Sequence, residues 1–179
     1  MASDARRCIK KISGKLRGRV ETDQSIVSLY IREPSGLEGE AYAVVFPESE
    51  GDVSVVLREC YRHETPVYPQ GSATSLSGNA VPGGGVVLSM ERMRRIREVS
   101  VVDSLAVVEP GVRIDDLNMA LQGEGYMFPV DPASSAVATV GGAINNGAGG
   151  LRGAKYGTMR DWVLGLRLGL ADGDGTIIE

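Results

Sequence analysis

The sequence predicts an α+β fold, as one ordinary domain or two small lobes, and three observations lead there. A strand–helix–strand unit occupies the first half, further apolar runs between Val86 and Val108 suggest more strands, and glycine punctuates the connections. The chain has 179 residues, enough for one ordinary domain or two small lobes. Hydrophobic residues at 42% and charged residues at 23% are the proportions of a soluble globular protein. Glycine is the outlier at 24 residues, roughly twice its usual ~7% share, so where the glycines fall decides the reading.

Taken in order, Asp4 to Leu16 carries a loose helical pattern, and Gly14, Gly18 and Pro34 punctuate the stretch that follows, which says least. Tyr42 to Phe46, YAVVF, reads as a short buried strand ended by Pro47. Ser49 and Asp52 approximate a capping box, and Val53, Val56, Leu57, Cys60 and Tyr61 fall at i, i+3, i+4, i+7 and i+8, the apolar face of a helix. Pro66 to Tyr68 reads as a second strand, running into a loop of glycine and serine.

After Gly83, Gly84 and Gly85 come Val86 to Leu88, then alternating runs over Ile96 to Val102 and Leu105 to Val108, so the second region is expected to be richer in strand. Ile114, Leu117 and Leu121 mark a helix that begins after Gly111 and stops near Gly123 and Gly125. Residues 129–157, rich in Pro, Ser, Thr, Asn and Gly, read as one long loop, a length usually reserved for function or disorder. Trp162 to Leu170 reads as a strand, followed by a turn at Ala171 to Gly175 and a last run at Thr176 to Ile178.

The net charge of -4 argues against a nucleic-acid surface, which needs a clustered excess of Lys and Arg. The basic runs Arg6 to Arg19 and Arg92 to Arg97 read as solvated faces. Two cysteines, Cys8 and Cys60, have neither zinc-knuckle spacing nor the density of a secreted scaffold, so a reducing cytoplasm is expected. No apolar run approaches the ~20 residues that span a bilayer, and the polar N-terminus lacks the apolar stretch of a signal peptide.

Two segments carry the chemistry. Tyr68 to Gly78, YPQGSATSLSG, leaves a strand and consists of small residues. Gly71 lets the backbone turn and approach a ligand, and the amides of Ser72, Ala73, Thr74 and Ser75 suit an anion nest. The alternative is a surface turn between strands. Asp131 to Gly150, DPASSAVATVGGAINNGAGG, is a second such segment, with Thr139, Asn145 and Asn146 as side-chain partners, or else a set of tight turns.

Rival motifs fail on context. GAKYGT at Gly153 to Thr158 lacks the Gly-Lys-Ser/Thr of a Walker loop, and no GxGxxG joins a strand to a helix. His63, the lone histidine, lies off the apolar stripe, without neighbours for a Ser–His–Asp triad or a metal site. Asp115 and Asp116 read as first-turn residues that suit the helix dipole.

The ordered blocks PQGSATSLSG, GGVVLSMERM, VEPGV, DPASSAVATVGGAINNGAGG, KYGTMRDWVLGL and LADG resemble the FAD-linked oxidases of the vanillyl-alcohol oxidase type, in the branch of D-lactate dehydrogenase and glycolate oxidase flavoprotein subunits. The resemblance spans Tyr42 to Gly175 and implies a PCMH-type FAD-binding fold. Its small β-α-β lobe, residues 1–93, would precede a second, strand-richer lobe, residues 94–179, truncated at its C-terminus, with FAD extended between them.

By the same resemblance, Pro69, Gln70, Gly71, Ser72, Ala73, Thr74, Ser75 and Gly78 would hold the FAD pyrophosphate. Pro132, Ser135, Thr139, Gly142, Asn146, Gly149 and Gly150 would line the flavin or its ribityl and phosphate chain, and Ile178 would sit beside the adenosine end. Arg152, Lys155 and Tyr156 would either touch FAD or form loop-anchoring pairs. The family commonly has Arg-Gly-Ala-Gly-Thr where this chain has Gln70, Gly71, Ser72, Ala73 and Thr74, so Ala73 must accept the backbone geometry of a glycine. The second block also departs, at Ala143 and Asn146, where the family has Asn and Thr.

No histidine stands in the first loop, so the flavin is expected to be non-covalent, and no metal is expected. The implied activity is hydride transfer from a 2-hydroxy acid of the D-lactate or glycolate type to flavin N5. Family members continue for several hundred residues past LADG into a substrate domain that supplies the base. No catalytic residue is therefore assigned here, and a C-terminal remainder or partner chain is expected. A non-catalytic FAD-binding subunit and a sugar or sugar-alcohol oxidase are the alternatives.

Overall fold

A computed structural model describes residues 3–179, which form two compact units: the chain up to Arg92 together with Gly165–Glu179, and Met93–Leu164. The final fifteen residues thus pack with the first unit, whereas the sequence reading assigned them to the second lobe.

In the first unit, α1 (Ser3–Ser13) buries Ala5, Cys8, Ile9 and Ile12, an i, i+3, i+4, i+7 stripe, and leaves its Lys and Arg residues in solvent. A four-stranded sheet follows, of β1 (Arg19–Glu21), β2 (Ala43–Phe46), β3 (Val67–Gln70) and β4 (Val86–Ser89), in the order β1–β2–β4–β3. β2, β4 and β3 run parallel and β1 is an antiparallel edge. Between β1 and β2 lies α2 (Gln24–Val27), capped by Asp23, whose carboxylate accepts from Ser25 N at 2.9 Å.

Every residue of β2 and β4 is buried, which is why these strands read as unbroken apolar runs instead of alternating ones. One sheet face packs Ala43, Val45, Val86 and Leu88 against Cys8, Ile12, Val56 and Cys60 of the helices. The other packs Val44, Phe46 and Val87 against Val27, Tyr30 and Ile31. Each such Val or Leu contributes about 1.5–3 kcal/mol by leaving water.

The crossover α3 (Glu50–Arg62) starts where the sequence places it. Ser49 Oγ accepts from Asp52 N at 3.2 Å. The buried Asp52 carboxylate does not return to Ser49, however; it accepts from Glu48 N at 2.9 Å and Arg17 N at 3.0 Å, tying the strand exit to the α1–β1 connection. Chain end and helix meet at β7 (Leu168–Gly169) and β8 (Ile177–Ile178), an antiparallel pair lying along α3. A Cβ on Gly169 would meet Leu57 Cδ1 at 2.6 Å. The expected strand over Trp162 to Leu170 is therefore only two residues long, because only Leu168 and Gly169 find a partner strand.

The second unit opens with a hairpin of β5 (Ile96–Ser100) and β6 (Leu105–Val108), then α4 (Ile114–Gln122). Buried Glu109 follows β6, and its carboxylate accepts from Arg95 N at 2.8 Å, Arg95 Nε at 2.9 Å and Arg97 Nη2 at 3.3 Å. Asp116 in the first turn of α4 takes a two-pronged ion pair from Arg113, at 2.7 and 2.8 Å.

The stretch expected as one long loop contains α5 (Val140–Asn146) and α6 (Gly153–Tyr156). Glycine and asparagine are poor helix formers, but here packing overrides propensity: Val140 and Ala143 are buried with Val112, Ile114, Leu117 and Val130. Among the described residues, no helix is long and apolar enough to cross a membrane.

Candidate functional site

The loop after β3 is held at its start by a side chain and at its end by a main-chain amide. Gln70 is 5% exposed, and its Nε2 donates to Tyr30 O at 2.9 Å and Ala80 O at 3.0 Å. That amide is committed to bracing the loop. At the other end, Gly78, with φ +83°, donates its N–H to Glu33 Oε1 at 2.7 Å.

Between these braces the backbone is turned and several of its amides are open. Ala73 lies in the left-handed region at φ +50°, so it does accept the conformation that glycine takes more readily. The N–H groups of Gly71, Ala73, Thr74 and Ser75 donate to no protein acceptor among the described residues. Ser75 Oγ is shared with Ser77, 3.1 Å to its hydroxyl and 3.2 Å to its amide, and Ser72 also has a hydrogen-bonded or electrostatic partner. A left-handed residue inside a run of free amides turns neighbouring N–H groups toward a common side, the arrangement of an anion nest. The donor set fits a pyrophosphate, which brings only acceptors. Pro69, in β3, is exposed and has no N–H to give.

In the second unit, the residues matched to the flavin have protein partners of their own. Thr139 is buried and caps α5, its Oγ1 accepting from Gly142 N at 3.3 Å. Asn146 Nδ2 donates to Gly142 O at 2.9 Å. Ser135 N donates to Pro132 O at 2.9 Å, closing the turn before the helix. Gly150 approaches protein backbone closely: a Cβ there would lie 2.2 Å from Asp131 O. Gly149 faces the Thr158 methyl group, 3.5 Å from where its Cβ would be. Arg152 forms an anchoring pair, its backbone N donating to Asp131 Oδ1 at 3.0 Å and its Nε lying 3.3 Å from Asp131 Oδ2. Lys155 Nζ stands 4.7 Å from the centre of the Tyr156 ring.

Ile178, in β8 of the first unit, is 43% exposed. The turn before it is held by Asp172, whose Oδ1 accepts the amides of Asp174, Gly175 and Thr176. His63 caps the C-terminal end of α3 and is half-buried.

Tyr30 and Glu109 are among the groups with displaced acidities. The Tyr30 phenol is pushed up to about 12, first by burial and then by Glu91, whose carboxylate accepts its O–H at 3.1 Å. For Glu109, burial opposes ionisation, but the hydrogen bonds from the Arg95 side chain and amide and from Arg97 outweigh it and hold the carboxyl below its ordinary range.

Residues that the sequence reading passed over hold the first loop in place. Glu33 is 6% exposed, and Tyr30 and Ala80 supply the carbonyls that Gln70 grips. The one local signal for Glu33 was its place before the turn formers Pro34, Ser35 and Gly36; its partner lies 45 positions away.

Residues 41–179 match the family model described as FAD binding domain. Glycolate oxidase subunit GlcD of Bacillus subtilis is 42% identical over 133 residues, covering 74% of this chain and 28% of that protein. D-lactate dehydrogenase of Archaeoglobus fulgidus is 42% identical over 135 residues, covering 75% of this chain and 30% of that protein. Among solved structures, 4-ethylphenol oxidase from Gulosibacter chungangensis superposes with a TM-score of 0.83 at 28% identity, over 99% of this chain and 35% of that one. The chain thus spans about a third or less of the proteins it matches.

Proposed function

The chain belongs to the FAD binding domain family, and on that premise we propose that it is the FAD-holding part of an oxidoreductase that acts on 2-hydroxy acids. The observation that carries the reading is the loop of residues 71–75, braced at both ends, in which the amides of Gly71, Ala73, Thr74 and Ser75 have no protein acceptor among the described residues. Its role is to take the pyrophosphate of FAD. Gly71, Ala73, Thr74 and Ser75 give backbone donors, and Gln70 and Gly78 fix the ends.

Bound FAD supplies the hydride acceptor; the protein binds and orients it. In the second unit, Pro132, Ser135, Thr139, Gly142, Asn146, Gly149 and Gly150 form the flavin-side wall largely through backbone, since Thr139 and Asn146 already spend side-chain contacts on α5. Ile178 covers the adenosine end. Attachment is non-covalent, because residues 69–78 contain no histidine. The names of the relatives favour glycolate or D-lactate over a phenol or sugar as the substrate type. The catalytic base and substrate clamp belong to the part of such proteins that this chain does not span. Two free, buried cysteines fit a reducing cytoplasm.

Titration of the purified chain with FAD and with riboflavin, followed by flavin fluorescence, tests this. FAD should bind markedly more tightly than riboflavin, since the loop reads the pyrophosphate. Equal affinities, or no binding of either, would overturn the assignment. Turnover of D-lactate or glycolate by this chain alone would sink the placing of the base elsewhere.

A further inference from the structure

We propose that Glu33 is the positioning residue of the phosphate loop: its buried carboxylate takes the Gly78 N–H, fixing the end of residues 71–78 and leaving the amides of Ala73, Thr74 and Ser75 to the ligand. The inference rests on the assignment of this loop to the FAD pyrophosphate.

A carboxylate is costly to bury unless hydrogen bonds compensate for lost water. At Glu33 the compensation is lopsided. Oε1 accepts twice, from Gly78 N and from Ser35 Oγ, both at 2.7 Å, while buried Oε2 has no hydrogen-bond partner among the described residues. A side chain there solely for stability would engage both oxygens or be apolar. The single use that reaches out of its own turn is the grip on Gly78.

The stretch that presents Glu33 is built to hold it still. Gly39 N donates to Ile31 O at 2.8 Å and Gly36 N to Glu33 O at 3.0 Å, so residues 31–39 double back on themselves. Glu40 N donates to Pro82 O at 2.9 Å and Gly84 N to Glu40 O at 2.7 Å, which joins the hook to the strand leading out of the loop. Tyr30, at the other side of the hook, receives the Gln70 amide. One hydrogen-bonded segment thus braces the loop before Gly71 and at Gly78. A loop of Gly, Ser, Ala and Thr has few packing contacts of its own, so without the brace binding would have to order it.

Glu33→Asp keeps the charge but withdraws it by one methylene from Gly78, and Glu33→Gln keeps an acceptor at full reach. Amide hydrogen exchange across residues 71–80 reads the loop directly, and titrations with FAD and riboflavin read its use. In Glu33→Asp, protection at Gly78 should fall at least about tenfold, and FAD should weaken by about tenfold to hundredfold with riboflavin unchanged. Glu33→Gln should stay within a few-fold of the parent in both. Exchange that is unchanged at Gly78, or FAD and riboflavin weakened alike, would overturn the proposal. If Glu33→Asp does not fold, the parent decides: Gly78 N–H must be far better protected than Ala73 to Ser75, and equal exchange refutes the grip. If the parent binds no FAD, the exchange pattern still settles the role of Glu33, so the two readings fail separately.

Discussion

Ala73→Gly should stabilise the first unit by about 0.5–1 kcal/mol. Ala73 sits at φ +50°, where a Cβ crowds the following carbonyl and costs about 1–2 kcal/mol. Glycine removes that cost but gives the unfolded chain extra freedom worth about 0.4–1 kcal/mol. The difference favours glycine and corresponds to a rise in melting temperature of roughly 1–4 °C at this chain length. Ala73→Val has the opposite sign, losing at least about 1 kcal/mol, since a β-branched residue is a genuine outlier there. Thermal and urea denaturation followed by circular dichroism measures both. FAD affinity should hold or improve in Ala73→Gly, because the backbone amides remain and the methyl group beside them goes. A glycine variant that melts below the parent would refute the left-handed conformation at residue 73 and, with it, the anion nest.

Four further outcomes are expected. Glu109 is held below its ordinary range in the folded state, so its stabilisation is complete above the unfolded value of about 4.3 and is lost as pH falls through the lower folded value; acid unfolding of the second unit should begin below about pH 4, and Glu109→Gln should flatten that dependence. Tyr30 should ionise late, near 12, in an ultraviolet titration; its neutral form is favoured by folding, so stability should decline from about pH 10 upward, and Tyr30→Phe should abolish that late step. Gly150→Ala places a carbon 2.2 Å from Asp131 O and should cost at least about 2 kcal/mol, read as a drop in melting temperature. Cys8 and Cys60, buried with their sulfurs 3.6 Å apart, should resist a thiol reagent in the native chain and react only once it unfolds.

What was legible in the sequence was local. The Ser49 cap and the spacing of Val53, Val56, Leu57, Cys60 and Tyr61 define α3 because each signal acts within one or two turns. Apolar runs located β2 and β4 because a sheet covered on both faces needs no alternation. The loop after β3 was legible because few roles other than close approach and turning call for so many small residues. α5 was missed because its glycines and asparagines argue against helix, and only Val140 and Ala143, three apart, point to a buried face. Trp162 to Leu170 alternates as a strand should, yet pairing depends on Ile177 and Ile178, which no periodicity in the run reveals. Glu33 escaped for the same reason: its partner is distant in sequence.

The return of residues 165–179 to α3 makes the first unit discontinuous. Arg167 reaches Glu50 at 2.8 Å, a Cβ on Gly173 would touch the Tyr61 ring at 3.1 Å, and Gly175 crowds the Ser54 carbonyl. On a ribosome, the first ninety-two residues therefore emerge with one flank of α3 still bare, and it stays bare until the whole second unit has been synthesised. Closing so long an interval is entropically slow for a disordered chain, whereas an intervening segment that has already folded behaves as a shorter tether. The second unit is thus an insertion, which would hasten completion of the first if it folded early, and a nascent chain released before residue 165 would carry a helix with one flank uncovered.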